Sequence, residues 1–167
     1  MRTLLLVLIL PALALAQSEY VTGKATPEEV VEKVNEAARF IETHGEEGIA
    51  EFEKTRNRFV WKDTYVWVTR CEDNYCMPSP KSRQLGLISE NRCLKTGKLY
   101  ILELCFLSGR NPNGAWVEYW VSRPGFTEPQ RKISFMQQIP DSPYQVVSDI
   151  YDAAASVEEL NRKLQSP

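Results

Sequence analysis

The chain has 167 residues, 43% of them hydrophobic and 25% charged, with 20 basic against 22 acidic side chains. That length fits one domain, and that balance fits a folded globular chain rather than a disordered one. It excludes the electrostatic footprint of a DNA- or RNA-binding protein, and no run of Lys or Arg marks an anionic membrane surface.

Met1 and Arg2 form a short basic start, Leu4 to Ala16 is an apolar run containing Pro11, and Ala14-Leu15-Ala16 has the small-x-small form of a cleavage site. The run is shorter than the roughly 20 residues that span a bilayer. Residues 1–16 are therefore expected to be a signal peptide, followed by a flexible segment over 17–25. Removal of the leader leaves 19 basic and 22 acidic residues, a net charge of −3, in a chain starting at Gln17. The expectation is a periplasmic or secreted protein with no stable membrane insertion after cleavage.

Thr26-Pro27-Glu28-Glu29 predicts a helix start: Thr26 caps, Pro27 sits where its missing N–H costs nothing, and Glu29 can bond back. Val30, Val34, Ala37, Ala38 and Ile41 recur at helical spacing and should form one buried face. His44-Gly45 interrupts the pattern, which resumes through Ile49 and Phe52, so either a kinked helix or two consecutive ones is expected. His44, beside the break, reads as a capping or surface residue.

From residue 59 to 70 the period shortens and aromatic and β-branched residues dominate, which predicts one strand. Tyr65 and Trp67 share one of its faces, Val66 and Val68 the other. Residues 72–90 hold Pro78, Pro80 and Gly86 and read as an irregular excursion. "KLYILELCFL", rich in Leu, Lys and Glu, predicts a short helix. "GAWVEYWVS", "RKISFMQQI" and "YQVVSDIYD" then predict three strands in an antiparallel meander, and Ser156-Val157-Glu158-Glu159 opens a terminal helix.

Cys71, Cys76, Cys93 and Cys105 would meet an oxidising compartment, where an even number of thiols signals disulfides. A Cys-x4-Cys and Cys-x11-Cys pattern lacks the tight spacings of structural zinc sites, so no metal is expected. Three pairings are possible. Cys71–Cys76 and Cys93–Cys105 is the expected one because each closes a local loop.

No Gly-x-Ser-x-Gly elbow, phosphate-cradling glycine loop or His-Glu-x-x-His helix occurs. The single histidine has no sequence context of a general base, and paired acids such as Glu46-Glu47 and Glu158-Glu159 fall in predicted helices as solvent-facing or capping residues. The reading is of a non-enzyme with no catalytic residues and no cofactor.

The order amphipathic helix, aromatic strand, irregular middle, short helix and three-stranded meander carries a resemblance over about residues 28–152. Its most specific parts are "HGEEGIAEF", "RFVWKDTYVWV", "GAWVEYW", "RKISFMQQIP" and "VVSDIY". In that order the chain resembles the single Cache domain of type 2, an extracytoplasmic PAS-like sensor domain. The resemblance implies an α+β fold, an antiparallel sheet covered by a long N-terminal helix, with the domain over 26–155 and a C-terminal helix and tail over 156–167. The sequence departs from the family pattern in Ser79-Pro80, where a His-Pro pair is usual, in Asp149, where a glycine is usual, and in its four cysteines.

The resemblance further implies binding of a small organic ligand, often a short carboxylate; for a freestanding exported domain the readings are that it presents the ligand to a membrane signalling protein, buffers it, or serves as a structural adaptor. A small carboxylate needs a cationic or hydrogen-bonding partner and an apolar wall. Tyr65, Trp67, Tyr119 and Lys132 supply those types from three predicted strands: Lys132 would neutralise the anion, the tyrosines orient it, and Trp67 close the apolar side. Trp61, Trp116 and Arg83 are further candidates. The competing reading is a disulfide-stabilised structural or protein-interaction module of the same fold, its hollow filled by its own aromatic rings.

Overall fold

The computed structural model describes residues 23–73, 75–77, 79–80, 86–87, 91–151 and 154–166. The expected leader and Arg83 lie outside these residues. Helix α1 (Pro27–His44) starts with the expected capping box: Thr26 accepts from the Glu29 amide, and Glu29 accepts from the Thr26 amide. It ends at Gly45, whose φ of 62° is left-handed backbone that glycine adopts without strain. A 3-10 stretch (Gly45–Glu53) continues the chain, so the interrupted pattern is two consecutive elements. His44 Nδ1–H donates to Phe40 O over 2.8 Å and the imidazole stacks on the Phe40 ring, closing the helix end.

The predicted strand over 59–70 is two strands. β1 (Val60–Trp61) and β2 (Thr64–Arg70) pair antiparallel with Trp61 opposite Thr64, leaving Lys62 and Asp63 as a two-residue turn. Lys62 takes φ of 46° there. Tertiary contacts hold this turn: Lys62 Nζ lies 2.5 Å from Glu29 Oε1, and Asp63 accepts from the Ala25 amide at 2.9 Å. The segment entering α1 and the first turn of the helix are thus both tied to the hairpin.

Short strands β3 (Tyr75–Cys76) and β4 (Gly86–Leu87) follow, then helix α2 (Tyr100–Ser108). The meander is β5 (Ala115–Val121), β6 (Gln130–Gln138) and β7 (Tyr144–Tyr151), and α3 (Val157–Leu164) follows, capped by Ser156. The sheet runs in the order β4-β3-β2-β7-β6-β5, antiparallel throughout, with β1 hydrogen-bonded to β2. β7 is therefore central, between β2 and β6, and six of its eight residues are buried. The fold is α+β: an antiparallel sheet, a long N-terminal helix and a short C-terminal one.

Each face of the sheet carries its own core. On one, Val66, Val68, Phe135, Val146 and Ile150 pack against Val30, Val34, Ala37 and Ile41 of α1. A fully buried side chain of this size contributes about 1.5–3 kcal/mol. On the other, Val117, Met136 and Val147 pack under Ile101 and Leu104 of α2. Gly114, at φ 78°, immediately precedes β5, where any Cβ would lie 2.5 Å from the Phe135 ring, so glycine is required for that approach.

The cysteine expectation is corrected. Cys71, just past β2, is bonded to Cys105 on α2, with Cα atoms 5.7 Å apart, and Cys76 and Cys93 are free thiols. Local loop closure failed as a guide because the hairpin register sets Cys76 opposite Thr69, not Cys71. Cys93 instead lies beside β5, where its sulfur accepts from the Trp120 amide at 3.4 Å. The bond that forms joins elements 34 residues apart and ties α2 down over the sheet.

Candidate functional site

Alternation along the strands decides which side chains share the second face. In register, Trp67 stands beside Val147 and Met136, Asp149 beside Ser134 and Val117, and Tyr151 beside Lys132 and Tyr119. Tyr65, two residues before Trp67 on β2, projects to the same side. The four sequence candidates Tyr65, Trp67, Tyr119 and Lys132 thus lie on one sheet face, opposite α1.

The centre of that face is polar. Lys132 Nζ lies 2.7 Å from Asp149 Oδ2, with the two side chains 19% and 9% exposed. Ser134 Oγ–H donates to Asp149 Oδ1, and the Tyr119 hydroxyl stands 2.6 Å from Ser134 Oγ and 3.3 Å from the same carboxylate oxygen. Thr64 Oγ1–H donates to the Asp149 carbonyl at 2.5 Å, pinning its backbone. The Lys132 ammonium also faces the Tyr151 ring, 5.4 Å from its centroid.

Aromatic rings cover this centre. Tyr100, the first residue of α2, lies flat on Tyr119 with centroids 3.6 Å apart and planes 5° from parallel. Trp67 packs beside the same cluster and is half-buried. Tyr65 is half-buried, and its hydroxyl bonds the side chain of Ser79.

Burial dominates the electrostatics. It pushes the Tyr100 phenol up to about 12, and together with the nearby Asp149 carboxylate raises Tyr65 and lifts Tyr119 well above the usual phenol range. For Lys132 burial opposes the charge, but the Asp149 carboxylate overrides it and holds the ammonium well above the ordinary lysine value. Burial therefore favours neutral Tyr65, Tyr100 and Tyr119, and the Asp149 carboxylate favours charged Lys132.

The further candidates do not join them. Trp116 lies on the α1 side, 1% exposed, its ring tilted against Phe135. Trp61 packs against the α1-side core, and its Nε1 finds no partner among the described residues. Sequence reasoning passed over Asp149, Ser134, Tyr100 and Tyr151 as site residues. Asp149 stood out only as a departure from a family pattern; alternation with Tyr151 on β7, opposite Lys132 and Ser134 on β6, was the signal that places it here.

Two clefts elsewhere in the fold suit an anion poorly. A cleft of about 520 Å³ between the end of α1 and the β6–β7 turn is bordered by Glu42, Glu46 and Asp141, which repel a carboxylate. Another of about 240 Å³, lined by Asn111, Asn113, Asn161 and Leu164 among others, has no charged side chain. Among the described residues no group of His, Cys, Asp and Glu is placed to hold a metal ion, and no helix is long and apolar enough to cross a membrane.

No family model matches the sequence, and no curated protein matches it. Solved structures do. A Cache chemosensory domain, described for its carboxylic acid recognition, is 18% identical with a TM-score of 0.58, over 75% of this chain and 92% of that one. The periplasmic sensor domain of a chemotaxis protein is 22% identical with a TM-score of 0.56, over 74% and 90%. A methyl-accepting chemotaxis protein from Vibrio parahaemolyticus is 10% identical with a TM-score of 0.56, over 74% and 86%. At these identities the likeness is one of fold.

Proposed function

We propose that this chain, which has the PAS-like fold of single Cache domains, is an exported sensor-type module that binds a small metabolite on the sheet face beneath α2. A short carboxylate is the ligand class, and a membrane signalling protein is the partner that reads the bound state. Fold alone does not carry an activity. The observation that carries this reading is the near-buried ammonium of Lys132 beside the Tyr119–Ser134–Asp149 hydrogen-bonded cluster, on the sheet face that Tyr65 and Trp67 share: a cation, orienting hydroxyls and an apolar wall are what a small carboxylate requires.

In this reading Lys132 supplies the charge, Tyr65 and Tyr119 orient the ligand, and Trp67 borders its alkyl part. Tyr100 sits on α2, which the Cys71–Cys105 bond holds over the face, so ligand entry and α2 position are coupled. No proton or group is transferred in this scheme, and the role is binding rather than catalysis.

Two observations favour the second reading, a structural or interaction module without a small ligand: Lys132 already has a carboxylate partner in Asp149, and Tyr100 lies directly on Tyr119. Thermal unfolding and calorimetry across acetate, propionate, lactate and pyruvate separate the two. A ligand at 100 times its dissociation constant adds about 2.7 kcal/mol of stability, and Lys132→Met should abolish the gain. No shift with any compound supports the second reading.

A further inference from the structure

The groups that would recognise a ligand carboxylate converge on one that belongs to the protein. An ammonium, a serine hydroxyl and a tyrosine hydroxyl, from the adjacent strands β6 and β5, surround both oxygens of Asp149 on β7. Asp149 Oδ2 takes Lys132, and Oδ1 takes Ser134 with Tyr119 alongside. Charge-assisted bonds of this kind are the strong ones, and in a site so little exposed two carboxylates cannot share one ammonium without repulsion.

The backbone of Asp149 is held independently of this cradle. Thr64 Oγ1 bonds its carbonyl, and its strand pairs with β2 and β6 on either side. The carboxylate could leave Lys132 by side-chain rotation alone, with the sheet unchanged.

We propose that Asp149 is a built-in stand-in for a ligand carboxylate: Lys132, Ser134 and Tyr119 form a carboxylate cradle, and a small carboxylate occupies it only by displacing the Asp149 side chain. This rests on the reading of this sheet face as the ligand site, and it makes Asp149 the residue that sets affinity and size preference there. The resting protein holds its site filled. The free ligand must compete with a group tethered at high effective concentration.

Size-matched replacement tests this. Asp149→Ala removes the volume of a carboxylate group, which formate refills; Asp149→Gly removes one carbon more, which acetate refills. Full-chain variants are compared by calorimetry and thermal unfolding in formate, acetate, and chloride at equal ionic strength. The expected result is a lowered melting temperature for both variants, recovered by at least half with the matched anion and not with chloride, and an affinity at least tenfold above that of the unsubstituted protein. The double variant Lys132→Met with Asp149→Gly, which leaves no unpaired buried charge, should fold and show no rescue.

Equal responses to acetate and chloride, or rescue of the double variant, overturn the proposal. Should neither single variant fold, Asp149→Asn keeps the side-chain volume and weakens the grip on Lys132; acetate binding no tighter than in the unsubstituted protein then overturns it. If the unsubstituted protein binds a small carboxylate through Lys132 and the Asp149 variants bind it no better, the sensor reading stands and the stand-in falls. If Asp149→Gly takes acetate while the unsubstituted protein takes no metabolite of the panel, the stand-in stands and the sensor reading falls.

Discussion

Tyr100 lies flat on Tyr119, ring centroids 3.6 Å apart, and so joins the start of α2 to an edge strand of the sheet. The stack covers the Lys132–Asp149 pair from one side. Tyr100→Ala should cost about 2 kcal/mol, the low end of large-to-small core changes because Tyr100 is only half-buried. Tyr100→Phe, which keeps the ring, should cost under about 1 kcal/mol. Urea unfolding monitored by tryptophan fluorescence checks both. Equal losses for the two would place the contribution in the hydroxyl instead of the stack.

Stability should fall in alkali. Tyr100 is pushed up to about 12, Tyr119 and Tyr65 are raised, and Lys132 is held above its ordinary value. Each folded-state value lies above its unfolded one, so the folded protein keeps protons that the unfolded chain has released, and stability drops as pH rises. The contribution from Tyr100 is complete below about pH 10 and is lost as pH climbs through about 12. Tyrosinate absorbance should rise in two stages, with the buried phenols ionising late or only on unfolding, and Tyr100→Phe should flatten the pH slope between these limits.

Thiol counting distinguishes the observed pairing from a local one. Denatured, unreduced protein should expose two reactive thiols, Cys76 and Cys93; two local disulfides would expose none. Replacing Cys71 and Cys105 together by Ala should lower stability by about 4 kcal/mol from the loop-closure entropy of a 34-residue separation. The loss should appear as a lower urea midpoint in oxidising buffer and vanish when both proteins are reduced.

Of the two free thiols, Cys93 is the more readily ionised in the folded protein. Burial opposes its ionisation, but the Thr96 hydroxyl and the amides of Trp120, Thr96 and Lys95 outweigh that and bring it down to about 7, while burial raises Cys76. Its 3% exposure protects it in the folded state. Iodoacetamide labelling of Cys93 at neutral pH should therefore be slow in the folded protein, and opening of the 93–97 turn should expose the thiol while removing the hydrogen bonds that favour its thiolate.

The outer edge of β5 is closed by side chains and a turn. Asn161 of α3 accepts from the Trp116 amide at 2.8 Å and donates to its carbonyl at 3.0 Å, and the Leu94 amide donates to Trp120 O at 2.8 Å. An edge left open invites pairing with another chain. Asn161→Ala should cost about 2 kcal/mol for two buried backbone groups left unpaired, speed hydrogen exchange at Trp116, and raise the tendency to aggregate. Unchanged exchange at Trp116 would mean that α3 is held by Leu160 packing alone.

The elements were legible in the sequence wherever the signal was local. The Thr26 box set the start of α1, and His44-Gly45 its end. Leu, Lys and Glu made α2 a helix, and alternation gave the three meander strands. The break at Lys62-Asp63 was not legible, because nothing local distinguishes that dipeptide from strand interior until Glu29 and Ala25 hold it.

By itself the sequence determined the residue types of the site and the faces they occupy along each strand, since a period of two needs no partner to define it. Only the tertiary structure decided which strands are neighbours and in what register. β7 lies between β2 and β6, so Asp149 meets Lys132 and Ser134. α2 folds over that face, so Cys105 reaches Cys71. Those pairings depend on long-range burial of both sheet faces at once, and one residue of slip on β7 would have turned Asp149 toward α1.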